Sequence, residues 1–269
     1  MSSFLQAVEL HGQALEIEAH WLAPAAPKPA APRLVFLHEG LGSLSQWGAF
    51  PQALCNAAGC AGLVFSRPGY GRSTPRTEPW PGDYLQRQAR DLLPACFAAL
   101  GIAPDERIVL VGHSDGASLA LLFAAAFPAR MQAVVAMAPH LFVEACTLAG
   151  LRRARAAYEA PDSGLNRALT RHHADTDSAF YGWNDAWLRP GFADWNIEAE
   201  LCSGLNCPTL ALQGVDDEYG TLAQIEAVAR VNAGATRVLG LSDCGHAPQR
   251  DQPEAVLAAI CELIKHGML

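Results

Sequence analysis

Short apolar segments alternate with amphipathic segments along most of the chain. Segments that are apolar at nearly every position are typical of strands buried on both faces of a parallel sheet. The predicted strands in this pattern lie at 33–38, 61–67, 108–111, 133–139, 208–213 and 236–241. Helical spacing of apolar residues follows them at 44–58, 82–100, after residue 114, at 221–231 and at 253–266. This alternation predicts an α/β fold in which helices cover both faces of a mostly parallel, twisted sheet.

The first 32 residues depart from this pattern. Two alternating segments between residues 4 and 21 flank His11-Gly12 and place Ile17 and Glu18 on opposite faces, which predicts a half-buried antiparallel hairpin. Prolines are frequent from residue 24 to residue 32, and proline cannot join a central strand. We therefore expect an exposed connector there.

A second departure spans residues 140–201, where helical segments carry many charged and aromatic residues and no β-rich segment occurs. We interpret this stretch as a helical insertion. The predicted domains are therefore an α/β core formed by residues 1–139 and 202–269, and the insertion at 140–201.

Composition narrows the class of protein. Hydrophobic residues make up 51% of the chain and charged residues 17%, as expected of a globular protein with a large core. The formal net charge of -8 argues against a nucleic-acid partner. The longest apolar stretch, 117–127, is too short to cross a bilayer, and the N-terminus lacks the basic start of a signal peptide. We therefore expect a cytoplasmic protein without a membrane partner.

The eight cysteines form no C-x-x-C pair and no Cys/His spacing suited to zinc. Cysteines without such spacing usually serve as small apolar side chains in proteins of a reducing compartment. We expect no metal and no cofactor. The sequence leaves the oligomeric state open.

The segment 107–119 contains the most specific motif. A buried strand leads into the sequence G-H-S-D-G at 112–116, and a helix rich in small residues follows. In a G-x-S-x-G turn the serine has a strained backbone, and side chains two residues before and after it would collide with the neighbouring strand and helix. The position of the motif between strand and helix places Ser114 in a sharp turn.

Two further motifs follow, G-V-D-D at 214–217 after a predicted strand and G-H-A-P at 245–248 before the last predicted helix. In this order, and together with the serine motif, they resemble the α/β-hydrolase fold superfamily, in particular serine hydrolases with a helical cap. The resemblance covers nearly the whole chain. It implies that Ser114 is a nucleophile, Asp217 the acid and His246 the base of a catalytic triad.

Elementary chemistry gives each of these residues a role. A serine hydroxyl is a poor nucleophile at neutral pH and needs a base within hydrogen-bond reach. His246 would take the Ser114 proton, and Asp217 would accept the other ring N–H and stabilise the imidazolium. Asp216 is the rival for this last role, and the three-residue offset from Gly214 favours Asp217.

The oxyanion formed in acyl transfer needs preorganised N–H donors. One is expected from the backbone of Asp115, at the N-terminus of a helix whose dipole favours negative charge. The resemblance implies that the second donor is Gly40, within the sequence H-E-G-L-G at 38–42.

Glu39 marks a departure from the family, which usually has H-G-x-x-G at this point. The substitution puts a carboxylate beside the predicted site. We expect an ion pair of Glu39 with Arg67 or Arg72. The alternatives are a hydrogen-bond acceptor behind the site and a substrate contact.

The resemblance also implies that the insertion at 140–201 is a cap over the substrate pocket. Besides Glu39, the predicted pocket residues are Tyr70, His140 and Trp183. A hinge role is the alternative for His140, and packing within the cap is the alternative for Trp183.

The predicted function is hydrolysis of a small carboxylic ester or related acyl compound through an acyl-serine intermediate. Because the motif has serine where dehalogenases and epoxide hydrolases use aspartate, those two activities are disfavoured. One alternative is hydrolysis of a carbon–carbon bond in a ring-cleavage diketone. Another, from a different class, is a non-catalytic binding protein built on the same fold. In each case the expected partner is a small molecule.

Overall fold

The computed structural model describes residues 3–76 and 78–266. Its strands are β1 (Phe4–Leu10), β2 (Gln13–Leu22), β3 (Arg33–Leu37), β4 (Gly62–Phe65), β5 (Ile108–His113), β6 (Met131–Met137), β7 (Thr209–Gly214) and β8 (Thr236–Leu241). Within the described residues they form one eight-stranded sheet in the order β1-β2-β4-β3-β5-β6-β7-β8. β2 pairs antiparallel with β1 and β4, whereas every pair from β4 to β8 is parallel. The prediction of a mostly parallel sheet is confirmed.

Helices connect the parallel strands, as the sequence predicted. They are α1 (Phe50–Ala58), α2 (Tyr84–Arg87), α3 (Leu93–Ala99), α4 (Asp115–Ala126), α5 (Ala145–Glu159), α6 (Gly164–Leu169), α7 (Thr176–Leu188), α8 (Glu198–Cys202), α9 (Ala223–Val231), α10 (Pro248–Asp251) and α11 (Pro253–His266). A π-helical segment, Gln88–Leu92, joins α2 to α3, so the helix predicted at 82–100 contains a wider turn. In the part of the chain that the structure describes, no helix has the length and apolar character needed to cross a membrane.

The central strands are buried on both faces. In β5, Ile108 and Leu110 belong to the core that includes α3 and α4. Val109 and Val111 belong to the core that includes α1 and α11. Because successive side chains of a strand point to opposite faces, a strand between two helical layers must be apolar at every position.

The N-terminal hairpin is confirmed, but one of its side chains differs from the prediction. Glu18 was expected on the polar face, yet it is buried. Its carboxylate accepts hydrogen bonds of 3.0 Å from the Ser66 hydroxyl and from the backbone N–H of Arg72. The hairpin therefore supports the turn that follows β4.

Helices α5 to α8 lie between β6 and β7, where the sequence predicted a helical insertion. Aromatic side chains pack there among themselves: the rings of Tyr158 and Phe180 stack with centroids 3.8 Å apart, and those of Phe192 and Trp195 stack at 5.4 Å. Of the ranges predicted for the two domains, residues 1, 2, 77 and 267–269 lie outside the described residues.

Candidate active site

Ser114 lies in the turn between β5 and α4 with a strained backbone. Its φ of 52° and ψ of -120° fall in a region that non-glycine residues rarely adopt. A Cβ at Gly112 would lie 2.2 Å from the Gly116 backbone oxygen, and a Cβ at Gly116 would lie 2.0 Å from the Leu37 backbone oxygen. Only glycine fits at both positions, which is the steric reason expected for the motif.

Three side chains that are distant in sequence meet at the C-terminal edge of the sheet. His246 Nε2 lies 2.9 Å from Ser114 Oγ. On the other side of the ring, His246 Nδ1 lies 2.9 and 2.8 Å from the two carboxylate oxygens of Asp217. The structure thus joins a hydroxyl, an imidazole and a carboxylate in the order that base-assisted nucleophilic attack requires.

Asp217 is held in place by neighbours other than His246. Its buried carboxylate accepts hydrogen bonds from the Tyr219 N–H at 2.8 Å and from the Gln213 amide at 3.1 Å. Burial alone would raise the pKa of Asp217, but the hydrogen bond and charge of His246 outweigh it and lower the pKa. Asp216 is exposed. The acceptor of the His246 ring proton is therefore Asp217 and not its neighbour.

A small cavity with a volume of about 100 Å³ opens beside these side chains. The predicted residues that line it are Glu39, Gly40, Ser114, Asp115, His140, Trp183 and His246. Lining residues that the sequence reasoning did not place in the pocket are Leu41, Thr147, Leu151, Trp187 and Tyr219. The walls are thus mainly apolar and aromatic, with Ser114, His246, Glu39 and His140 among their polar residues.

Two of the missed lining residues carried a signal in the sequence. Thr147 and Leu151 are four residues apart, so they lie on one face of α5. Tyr219 follows Asp217 by two residues, and its ring centroid lies 4.8 Å from that of His246. The side-chain direction of a loop residue such as Tyr219 depends on the fold, which explains why it was missed.

Gly40 and Asp115 both line the cavity to which Ser114 contributes. Neither backbone N–H donates to an acceptor within the described residues. Asp115 is the first residue of α4, so the partial positive charge of the helix N-terminus lies at the same place. Both residues predicted as oxyanion donors thus line the same cavity as Ser114.

The side chain of Asp115 is buried away from solvent and belongs to a polar network. The Tyr84 hydroxyl donates to its carboxylate at 2.7 Å, and Trp187 Nε1 donates to the Tyr84 oxygen at 2.8 Å. Arg67 Nη2 lies 4.0 Å from the same carboxylate. Burial raises the pKa of Asp115, and Arg67 and Tyr84 offset this only in part. The network ties the start of α4 to α2 and α7.

The expected ion pair of Glu39 with Arg67 or Arg72 is wrong. The Glu39 carboxylate instead lies 3.3 Å from His113 Nδ1. Arg67 donates to the backbone oxygen of Glu39 at 3.1 Å, because its guanidinium is buried below the loop. The Arg72 side chain is exposed, and the contact of this residue with a carboxylate is from its backbone N–H to Glu18. Glu39 is thus paired with the residue that precedes Ser114. This contact fits the alternative role of a hydrogen-bond acceptor, although the sequence reasoning did not name His113 as its partner.

Tyr70 is not among the described residues that line the cavity, so its assignment to the pocket is corrected. Its side chain is buried, with its ring centroid 5.1 Å from that of His38 and the Arg67 guanidinium 5.0 Å from its centre. Burial raises the pKa of Tyr70 to about 12. Arg67 joins this loop to the loop after β3, with a hydrogen bond of 3.2 Å to the His38 backbone oxygen.

His140 follows β6 and forms part of the cavity wall. Its ring centroid lies 5.8 Å from that of His246 and 5.1 Å from that of Trp187. Burial lowers the pKa of His140 to about 3, and the neighbouring His246 contributes in the same direction. The ring is therefore neutral at physiological pH. It offers the cavity a polar group without a charge.

The described residues contain no group of three His, Cys, Asp or Glu side chains that could hold a metal ion. Cys244 lies two residues before His246 but is buried. Burial raises the pKa of its thiol to about 11, so the reactive thiolate is scarce at neutral pH. The nucleophile in reach of the base is therefore Ser114.

Comparisons with known proteins identify the family of this chain and agree with its fold. The sequence profile of the Alpha/beta hydrolase family matches residues 34–259. The monoglyceride lipase homolog of Monkeypox virus is 25% identical over 216 residues, which cover 76% of each chain. Proline iminopeptidase from Mycobacterium smegmatis has a TM-score of 0.76 at 18% identity over 98% of both chains. A thermophilic esterase from Thermogutta terrifontis has a TM-score of 0.71 at 20% identity over 99% of both chains.

Proposed function

Because this chain belongs to the alpha/beta hydrolase family and is a hydrolase, we propose that it cleaves a small carboxylic ester or related acyl compound through an acyl-Ser114 intermediate. The observation that carries the proposal is the hydrogen-bond chain from Ser114 through His246 to Asp217. In this reading the three residues are a catalytic triad.

The first half of the reaction forms the acyl-enzyme. Ser114 Oγ attacks the carbonyl carbon while His246 Nε2 takes the hydroxyl proton. Asp217 accepts the Nδ1 hydrogen bond and stabilises the imidazolium. Collapse of the tetrahedral intermediate breaks the bond to the alcohol, which leaves with the proton from His246.

The second half releases the acid. Water loses a proton to His246 and attacks the acyl carbon, and Ser114 Oγ regains that proton as the carboxylic acid departs. In both halves the carbonyl oxygen becomes an oxyanion. We assign its stabilisation to the N–H groups of Gly40 and Asp115, because both residues line the cavity beside Ser114.

The character of the cavity supports an uncharged ester as substrate. The described residues that line the cavity include no lysine or arginine, whereas Glu39 contributes a carboxylate. The carboxylate of a dienoate diketone would meet no positive partner there, so we favour ester cleavage over carbon–carbon cleavage. The names of two similar proteins, the lipase homolog and the esterase, are consistent with this choice.

We also propose that residues 140–201 act as a cap. Trp183 and Trp187 of α7 contribute to the cavity wall, and Thr147 and Leu151 of α5 extend it. A cap that covers the cavity would exclude water from the acyl transfer and restrict substrate size. The cytoplasmic location expected from the sequence stays a prediction.

The proposal is tested by a substrate screen. Short p-nitrophenyl esters and monoacylglycerols are assayed beside coloured dienoate diketones, with wild-type protein and Ser114→Ala. We expect ester hydrolysis that is lost in the variant. A strong preference for the diketones would replace ester cleavage by carbon–carbon cleavage, and binding of esters without turnover would indicate a binding protein.

A further inference from the structure

The side chain of His113 bridges two parts of the candidate site. It lies at the end of β5, directly before Ser114, and is buried. Its Nδ1 is 3.3 Å from the Glu39 carboxylate, in the loop that carries Gly40. Its Nε2 is 2.6 Å from the backbone oxygen of His246. One imidazole thus contacts both the loop of the oxyanion donor and the residue that acts as base.

The charges of this pair are complementary. Burial would lower the pKa of His113, but the hydrogen bond and charge of Glu39 outweigh it and raise the pKa. Burial would raise the pKa of Glu39, but His113 lowers it to about 2. A carboxylate beside a protonated imidazole lets both ring nitrogens donate, one to Glu39 and one to the His246 carbonyl.

We propose that Glu39 and His113 form a positioning pair, which fixes His246 through its backbone carbonyl and couples this base to the loop that carries the Gly40 N–H. The proposal rests on the proposed function, because it concerns the base of that reaction. It also explains the departure from glycine at residue 39. A glycine there has no side chain with which to orient His113.

The surroundings hold the carboxylate in this position. A Cβ on Gly42 would lie 2.6 Å from Glu39 Oε2, so the carboxylate packs directly against that glycine. The Gly42 N–H donates to the Glu39 backbone oxygen at 3.0 Å, which closes the loop into a tight turn. The geometry therefore leaves the carboxylate little freedom to turn away from His113.

Other polar and charged groups face His113 from the neighbouring loops. The side-chain amide nitrogen of Gln249 lies 3.1 Å from His113 Nδ1. With the amide turned by 180°, its oxygen would instead face Nδ1 and accept from the protonated ring. The His246 ring centroid is 5.2 Å from that of His113, and the charge of Asp217 contributes to raising the pKa of His113. The neutral ring of His140 lies on the other side of His246, with centroids 5.8 Å apart. The uncharged Gln249 amide can orient the His113 ring. Glu39 adds a negative charge, which strengthens its own hydrogen bond with His113.

Steady-state kinetics of Glu39→Gln, His113→Asn and the double variant test the pair, with an ester identified by the screen. We expect each single variant to lower kcat about tenfold with KM changed less than about twofold, because the proposed role of the pair is to position the base and not to bind the substrate. The double variant should lose no more kcat than the more impaired single variant, because both substitutions remove the same interaction between Glu39 and His113. His113→Gln, which places an amide N–H near the position of Nε2, should retain more activity than His113→Asn.

The rate of fluorophosphonate labelling of Ser114 gives a readout that does not depend on the substrate. It should fall in Glu39→Gln and stay unchanged in Glu9→Gln, a matched change on the exposed part of β1. If the losses of kcat multiply in the double variant, the two residues act independently and the proposal is overturned. A rise of KM with unchanged kcat would also overturn it and would indicate that the pair contacts the substrate. If wild-type protein is not labelled, the proposed function itself fails. If wild type and Glu39→Gln are labelled at equal rates, only the positioning pair fails.

Discussion

The indole of Trp183 lies directly against Gly40, so closely that a Cβ on Gly40 would be 2.1 Å from the indole Cδ1. The loop with the proposed oxyanion donor and a cap helix are therefore in direct contact. Gly40→Ala must move the loop or the indole. We expect kcat/KM for an ester to fall at least about a hundredfold, the usual effect of losing one oxyanion donor.

A double variant separates collision from other effects of the methyl group. In Gly40→Ala/Trp183→Ala the collision partner is absent, so part of the activity lost in Gly40→Ala should return. Gly164→Ala is the matched control, because a Cβ there meets nothing within 4 Å. Losses that simply multiply in the double variant would show that the indole does not constrain the loop.

Replacing Asp217 by asparagine should abolish most activity. The neutral amide has no charge to stabilise the imidazolium, and its NH2 group can face Nδ1 and favour the wrong tautomer, so we expect kcat to fall about 10⁴-fold. Asp216→Asn is the matched control, since this neighbour is exposed. Measured kcat values for both variants decide the assignment, and a larger loss in Asp216→Asn would reverse it.

Tyr84→Phe should destabilise the protein. The hydroxyl donates to the buried carboxylate of Asp115 and accepts from Trp187 Nε1, so its removal leaves two buried polar groups without this partner. We expect the free energy of unfolding to fall by about 2–3 kcal/mol, measured by urea denaturation. Tyr181→Phe is the matched control, because this tyrosine is partly exposed. It should change the free energy of unfolding by less than about 0.5 kcal/mol. Equal effects of the two changes would contradict the account of the network.

The Glu39–His113 pair should make the free energy of unfolding depend on pH, with stability lost at both low and high pH. The pKa of Glu39 is lowered from its ordinary 4.5 to about 2, so its contribution is complete above pH 4.5 and is lost as pH falls towards 2. The pKa of His113 is raised above its ordinary 6.5, so its contribution is complete below pH 6.5 and is lost as pH rises through the raised value.

Urea unfolding of wild type and Glu39→Gln across this pH range measures the effect. The difference in unfolding free energy should be largest between about pH 4.5 and 6.5. It should shrink on both sides of that window. A difference that does not vary with pH would show that the two side chains are not coupled.

The order of strands and helices could be predicted from the sequence because its signals are local. The apolar run of β5 requires two helical layers, and the glycines around Ser114 fit only a sharp turn. The partners of Glu39 could not be predicted in this way. His113 is distant in sequence, and the β3–β5 pairing brings the two residues together.

The cavity shows the same limit. Tyr70 was predicted to line the pocket, but its ring is buried and packs against His38 and Arg67. Tyr219 does line the cavity, although only its distance from Asp217 in sequence pointed to it. The direction of an aromatic side chain in a loop is set by tertiary packing, which a single sequence does not specify.

The central claim is that Ser114 is a nucleophile activated by His246. Intact-mass spectrometry after treatment with a fluorophosphonate, followed by peptide mapping, tests it most directly. The account predicts one adduct per chain on Ser114, with no adduct on Ser114→Ala and much slower labelling of His246→Ala. Absence of labelling in wild-type protein, or equal labelling of Ser114→Ala, would contradict it.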